Sequence, residues 1–259
     1  MIDIHCHVLW GIDDGPRSME ESLNSCRTLK NNGVNEIIAT PHFIPGSNYA
    51  ASPETVRKKV DELRKVIAQE VPGMNIYEGM ELYITPELPE LLKSKTVLSL
   101  NGSKYALVET SFSKIPSYIE DVFFRLQVEG YIPVFAHPER YCAILDMDRI
   151  EKLISKGVLL QLNLNSIVGK YGEAEKSFAI KLLTRGLAHF AATDSHRNPG
   201  RLSHVGGIER ILTEHIDTES ADILLNINPQ RLLDNKEIEY MKPAPKKSFF
   251  SMFKEKFIK

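Results

Sequence analysis

The chain has 259 residues, 42% of them hydrophobic and 25% charged, enough apolar side chains to build a core and too many for a disordered chain. Its 34 acidic residues against 32 basic ones give a net charge of −2, which argues against a globally basic nucleic-acid binder. No apolar run reaches the ~18 residues of a membrane-spanning helix, and three scattered cysteines make no disulfide framework. With no basic stretch ahead of an apolar one at the N-terminus, the expected compartment is the cytoplasm.

In chain order, IDIH at the start reads as a strand. Ser18 opens a helix with a capping box to Glu21, and Gly33 stops it. VNEIIAT follows as a second strand. Ser52-Pro53 begins a long charged helix that Pro72-Gly73 ends. NIYEGMEL, YALVET, IPVFAH, VLLQLNL and HFAATD are five more strands, rich in β-branched and aromatic residues. Helical patterns at 116–129, 146–156 and 171–185 separate most of them. Strands alternating with helices predict a parallel α/β sheet. Seven strands in this length close more readily into a barrel than into an open doubly wound sheet.

The strand ends carry the chemistry. His5 and His7 flank Cys6, and in an extended strand the two imidazoles share a face while Cys6 points away. The second strand runs into His42, the third into Glu81, the fourth ends near Glu109, the fifth at His137. The last ends at Asp194, with His196 just beyond. Parallel strands send their C-terminal ends to one face, so a barrel would gather these residues at one mouth. Glu81 and Glu109 end apolar strands, where an unpaired charge is costly. A multivalent cation is one partner for them, and a Lys or Arg is the other. Asp13 and Asp14 lie in the turn-like GIDDGP, one a ligand and the other a turn former. Imidazole and carboxylate without thiolate suit Mn²⁺, Fe or Zn²⁺. His189, His204 and His215 receive no role.

These motifs resemble the polymerase and histidinol phosphatase (PHP) superfamily of metal-dependent phosphoesterases. The resemblance rests, in order, on HxH at 5–7, DDG at 13–15, TPH around His42, GMEL around Glu81, AHPER around His137 and DxH at 194–196. More narrowly, residues 1–22 with YALVE and AHPERY resemble the CpsB/YwqE-like manganese-dependent protein-tyrosine phosphatases of bacterial capsule and exopolysaccharide operons. The resemblance implies a distorted (β/α)7 barrel, its active site at the C-terminal strand ends, with three divalent metal ions, manganese first and iron or zinc as alternatives. His5, His7, Glu81 and Asp194 would hold the first, Glu81, Glu109 and His137 the second, and Asp14, His42 and His196 the third. Three such ions against four carboxylates leave about +2, or +1 with a bridging hydroxide, which suits a phosphate dianion; the metal-activated hydroxide attacks phosphorus. By the same resemblance Arg140 and Arg201 bind phosphate, arginine offering a planar fork to its oxygens. The implied partner is a phosphotyrosine protein, the tail of a bacterial tyrosine autokinase.

A cysteine phosphatase would need Arg six positions after its nucleophile, but positions 12, 32 and 148 hold Ile, Asn and Asp. Two alternatives stand: a small-molecule phosphomonoesterase such as a histidinol phosphatase, and a non-enzymatic phosphotyrosine-binding regulator. The domain expected is 1–241. Residues 242–259 form a basic aromatic tail, six lysines against one glutamate, with Phe249, Phe253 and Phe257 at helical spacing. Residues 246–259 read as a peripheral contact, with an anionic membrane at its inner face or with protein, the barrel itself or a sister subunit.

Overall fold

The computed structural model describes residues 1–197 and 207–244. Nine strand segments run in parallel: β1 (Ile2–Cys6), β2 (Glu36–Ala39), β3 (His42–Phe43), β4 (Asn75–Glu78), β5 (Glu81–Tyr83), β6 (Tyr105–Glu109), β7 (Ile132–Ala136), β8 (Leu159–Asn163) and β9 (Phe190–Ala192). One ladder runs β1-β2-β4 and the other β3-β5-β6-β7-β8-β9. The two are joined because β2 continues into β3 across Pro41, and β4 into β5 across Gly79 and Met80. The expected seven strands are therefore present, two of them broken.

The ring closes between first and last strands. Asp194 N donates to His5 O and His7 N to Ser195 O, both at 2.9 Å. The result is a distorted (β/α)7 barrel. A Cβ on Gly79 would lie 2.9 Å from the Ile38 side chain, so the break in the third strand needs a residue without one.

Alternation along the strands sorts the core into two layers. Ile38, Tyr105, Leu107, Val134, Ala136, Leu159, Phe190 and Ala192 fill the interior. Ile37, Ala106, Val108, Phe135, Leu160 and Ala191 pack outward, in one cluster with residues of the helices α1 (Met19–Asn31), α2 (Pro53–Glu70), α4 (Ile119–Val128), α5 (Met147–Ser155) and α7 (Glu173–Thr184). Strand β1 departs from this rule. Asp3 pairs with Ile37 but Cys6 with Ala39, so Ile4 and His5 together stand opposite Ile38. This bulge lets Ile4 enter the interior cluster while His5 also turns inward.

Helix starts follow the sequence closely. Ser18 caps α1 by accepting from Glu21 N at 3.2 Å, but Glu21 reaches back to Arg17 N rather than Ser18 N. Ser52 and Asp146 cap α2 and α5. Short helices absent from the expectation are α3 (Leu88–Lys93), α6 (Leu164–Ile167), α8 (Ile208–Thr213), α9 (Thr218–Asp222) and α10 (Asn228–Leu233). Arg201 and all of the tail beyond Ala244 lie outside the described residues.

Candidate metal centre

Every one of the nine sequence-selected metal-ligand candidates reaches one mouth of the barrel. Four of the atoms that approach one another there are His5 Nε2, His7 Nε2, Glu81 Oε2 and Asp194 Oδ1. Five of the six distances among these atoms are 3.2, 3.2, 3.4, 3.2 and 3.5 Å. His5, His7 and Glu81 form one compact group of metal-competent atoms, and Asp194 joins His5 and His137 in a second.

Glu81 extends the cluster. Its Oε2 also lies 2.9 Å from His42 Nδ1, and its Oε1 lies 2.9 Å from His137 Nε2. His42 Nδ1 is in turn 2.9 Å from Glu109 Oε1. The other nitrogen of His42 faces Asp14 Oδ1 at 3.6 Å, and His196 Nε2 faces the same oxygen at 3.2 Å. His42 therefore meets Glu81 and Glu109 as well as the Asp14 and His196 grouping that the resemblance implies. Three buried atoms here, Glu81 Oε2, His42 Nδ1 and His137 Nδ1, make no hydrogen bond of good geometry among the described residues, although the first two lie 2.9 Å apart. Divalent cations fit this donor set.

Backbone strain aims two of these side chains. His137 and Asp194 adopt left-handed conformations, φ 37° and 48°, unusual outside glycine. Both sit where a strand ends and the chain must turn.

Outer hydrogen bonds fix the imidazoles. His5 Nδ1 donates to Gln161 Oε1 at 2.8 Å, Gln161 Nε2 donates to Asn163 Oδ1 at 2.9 Å, and Asn163 Nδ2 donates to Asp194 Oδ2 at 2.6 Å. This chain leaves His5 Nε2 and Asp194 Oδ1 to face the centre. His7 Nδ1 donates to Asp13 Oδ2 at 2.8 Å, and Asp13 Oδ1 accepts from Gly15 N at 2.9 Å. Asp13 is thus the turn former and Asp14 the one that faces the cluster. Gly15 allows no side chain, since a Cβ would lie 2.7 Å from His7 O. Gln161 and Asn163 were not anticipated, although polar residues at period two in the apolar run VLLQLNL mark them. Glu139, also unanticipated, is fully buried and accepts from Asn163 N and Ser166 Oγ, tying the end of β8 to the AHPER segment.

The electrostatics show a demand for positive charge. Burial would lower the pKa of His5, but Glu81 and Asp194 outweigh it and raise it to about 9. His42 is pushed to about 10 in the same way, against burial and chiefly by Glu81. Burial would raise Asp14, yet its contacts with His196 bring it to about 2. Glu81 and Asp194 are held below the carboxylate range by the histidines, against desolvation. Protons on these imidazoles balance charge that a bound cation would balance instead.

The cluster floors a cavity of about 420 Å³, whose wall includes Phe112, Arg140, Asn165, Tyr171 and Arg197. Arg140 lies in the turn that follows β7. By contrast, His189 is buried at the outer side of the ring, accepting from Leu160 N through Nδ1 at 3.0 Å, and its role is structural.

Comparison with known proteins follows the same line. Residues 1–234 match the family described as capsular polysaccharide synthesis, CpsB/CapC. The chain is 36% identical over 248 residues to tyrosine-protein phosphatase YwqE of Bacillus subtilis, covering 95% of this chain and 97% of that protein. It is 30% identical over 241 residues to tyrosine-protein phosphatase CpsB of Streptococcus agalactiae serotype V, covering 91% and 99%. It also superposes, at TM-score 0.87 and 35% identity, on a crystal structure from work on YwqE of B. subtilis and CpsB of Streptococcus pneumoniae. Those proteins are described as unique metal-dependent tyrosine phosphatases, and the match covers 96% of this chain and 100% of the other.

Proposed function

The chain belongs to the CpsB/CapC family of capsular polysaccharide synthesis, and from that premise we propose how its residues hydrolyse phosphotyrosine. It is a metal-dependent protein-tyrosine phosphatase, a phosphoric monoester hydrolase. The observation that carries the assignment of residues is the convergence of His5, His7, Glu81 and Asp194, with His5 Nε2 and His7 Nε2 each within 3.5 Å of both carboxylates, beneath a cavity that Glu81 and Asp194 line.

In this reading His5, His7, Glu81 and Asp194 would hold one divalent ion, Glu81, Glu109 and His137 a second, and Asp14, His42 and His196 a third, with manganese the metal proposed. When bound, such ions polarise phosphoryl oxygens and acidify water near neutrality. The chain's own groups then do the rest. Gln161 and Asp13 keep the protons of His5 and His7 on Nδ1, so that both Nε2 lone pairs face inward. Arg140, on the cavity wall, presents its fork to the phosphoryl oxygens and stabilises their charge as the bond to the phenol breaks. Arg201, five residues after His196, is the second arginine proposed for this role.

The proposed protein substrate is the phosphorylated tyrosine tail of a bacterial autokinase. No helix among the described residues is long and apolar enough to cross a membrane. Placement at an anionic inner membrane face rests on the tail sequence alone. Liposome co-sedimentation of the full-length and 1–241 chains tests it, and equal behaviour of the two excludes it.

The deciding experiment removes metal by chelation and restores Mn²⁺, Mg²⁺ or Zn²⁺ singly. Turnover of a phosphotyrosine peptide is then compared with turnover of histidinol phosphate, alongside elemental analysis. Mn²⁺-dependent turnover favouring the peptide, with three ions per chain, is expected. Preference for histidinol phosphate selects the small-molecule alternative, and no turnover of either selects the binding regulator.

A further inference from the structure

Arg140 is held in an unusual way. Its guanidinium carbon lies 4.3 Å from the ring centroid of Phe112 and 4.3 Å from that of Tyr171. Among the described residues it has no carboxylate partner. The two rings come from different parts of the chain. Phe112 sits in the turn after β6, where Ser113 N donates to Ser111 Oγ. Tyr171 sits in the loop before α7, between Gly169 and Gly172, both at positive φ.

The arrangement continues into the core. Phe112 stacks on Tyr141 at 5.2 Å and 25°, and Tyr141 stacks on Phe135 at 5.2 Å and 1°. Tyr141 is itself pinned, its hydroxyl donating to Thr110 O at 3.1 Å and accepting from Thr110 N at 3.2 Å. A column of rings thus runs from the buried Phe135 to Phe112, which is 47% exposed at the cavity wall. Its outer end also touches the metal cluster, because the Phe112 and His137 ring centroids are 5.6 Å apart. Aromatic rings attract a guanidinium through its flat faces and leave its N–H edge for an anion. A long arginine side chain otherwise loses much rotamer freedom when it meets its ligand.

We propose that Phe112 and Tyr171 are positioning residues, a two-ring clamp that presents the N–H edge of Arg140 to the phosphoryl group before substrate arrives. The proposal rests on the phosphatase reading above. The rings act through Arg140 and not on the tyrosine of the substrate, since Phe112 already carries Tyr141 and Arg140 against its ring.

The test uses the full-length, Mn²⁺-loaded enzyme and four single variants, Phe112→Leu, Tyr171→Leu, Tyr171→Phe and Arg140→Ala, with each Leu variant also made in the Arg140→Ala background. Readouts are metal content, kcat and KM on phosphotyrosine peptide, and the inhibition constant of inorganic phosphate. Each Leu variant is expected to keep its metals and to weaken phosphate inhibition roughly three- to thirtyfold, from the usual strength of such contacts. Tyr171→Phe keeps a ring and should weaken phosphate inhibition less than Tyr171→Leu. In the Arg140→Ala background neither Leu substitution should have a further effect. An unchanged phosphate constant, or the same loss with Arg140 already absent, overturns the clamp. A raised peptide KM with an unchanged phosphate constant also overturns it and makes Phe112 a contact for the substrate ring. Absence of metal-dependent turnover in the wild type would instead sink the phosphatase reading, so the two failures are distinct.

Discussion

Replacing Asp13 by Asn separates a residue that orients a ligand from one that is a ligand. Asp13 Oδ2 accepts from His7 Nδ1 at 2.8 Å and also from His42 N at 3.2 Å, and Asp13 Oδ1 accepts from Gly15 N at 2.9 Å. An amide of the same shape satisfies one side and turns an NH₂ group toward donors on the other. His7 then loses the anion that keeps its proton on Nδ1 and makes Nε2 a stronger base. Outer carboxylates of this kind are worth about 10- to 100-fold in metal affinity, or ~1.4–2.7 kcal/mol. The assay is p-nitrophenyl phosphate hydrolysis against buffered free Mn²⁺. The Asp13→Asn activation curve should move to 10- to 100-fold higher Mn²⁺ and recover most of its maximum at saturation. Asp14→Asn removes an oxygen that faces both His42 and His196, so excess metal should not restore it. If Asp13→Asn tracks wild type, or if Asp14→Asn is the variant that recovers, the division of labour argued here is wrong.

Glu81 touches four imidazoles through two oxygens, so Glu81→Gln should lower metal content by more than one ion per chain and abolish turnover; elemental analysis showing full content would refute a shared ligand. His189 is buried with its pKa lowered to about 4, so the unfolded chain binds this proton first as pH falls. Stability is therefore lost from about pH 6.5 down toward 4, reaching ~2 kcal/mol at pH 5 for this group. Urea titrations of wild type and His189→Asn at pH 7.5 and 5 should show a smaller acid loss in the variant. Cys6 and Cys26 are buried with thiols pushed up by desolvation, Cys26 to about 12, and Cys142 is absent from the cavity wall. Iodoacetamide should leave activity intact, and inactivation prevented by substrate would contradict a metal mechanism.

The strand ends were readable because the candidate ligands there follow short apolar, β-rich runs, a local signal. Asp13 and Asp14 could not be told apart, because one turn holds both and only the position of His7 and His196 distinguishes them. The bulge in β1 was invisible for a similar reason. It depends on register against Ile37 and Ala39, some thirty residues away. Pro41 and Gly79 did not read as breaks within strands, and helix α3 was hidden by Pro86 and Pro89, which look like loop residues. The contact of Phe112, Arg140 and Tyr171 has no sequence signature, since the three come from separate segments that meet only because β6, β7 and β8 are neighbours in the sheet.

The seam between β1 and β9 has a consequence for how the protein is made. Its backbone bonds join His5 to Asp194 and His7 to Ser195, and the side chains of His5, His7 and Asp194 meet at the centre. During synthesis nearly two hundred residues must leave the ribosome before the first two histidines find their partner. Until then the side of β1 that pairs with β9 in the folded chain is unpaired. Contacts this distant in sequence are slow to form, because loop closure comes before any gain. A cation bridging the first and last strands would act as the latch of that final step.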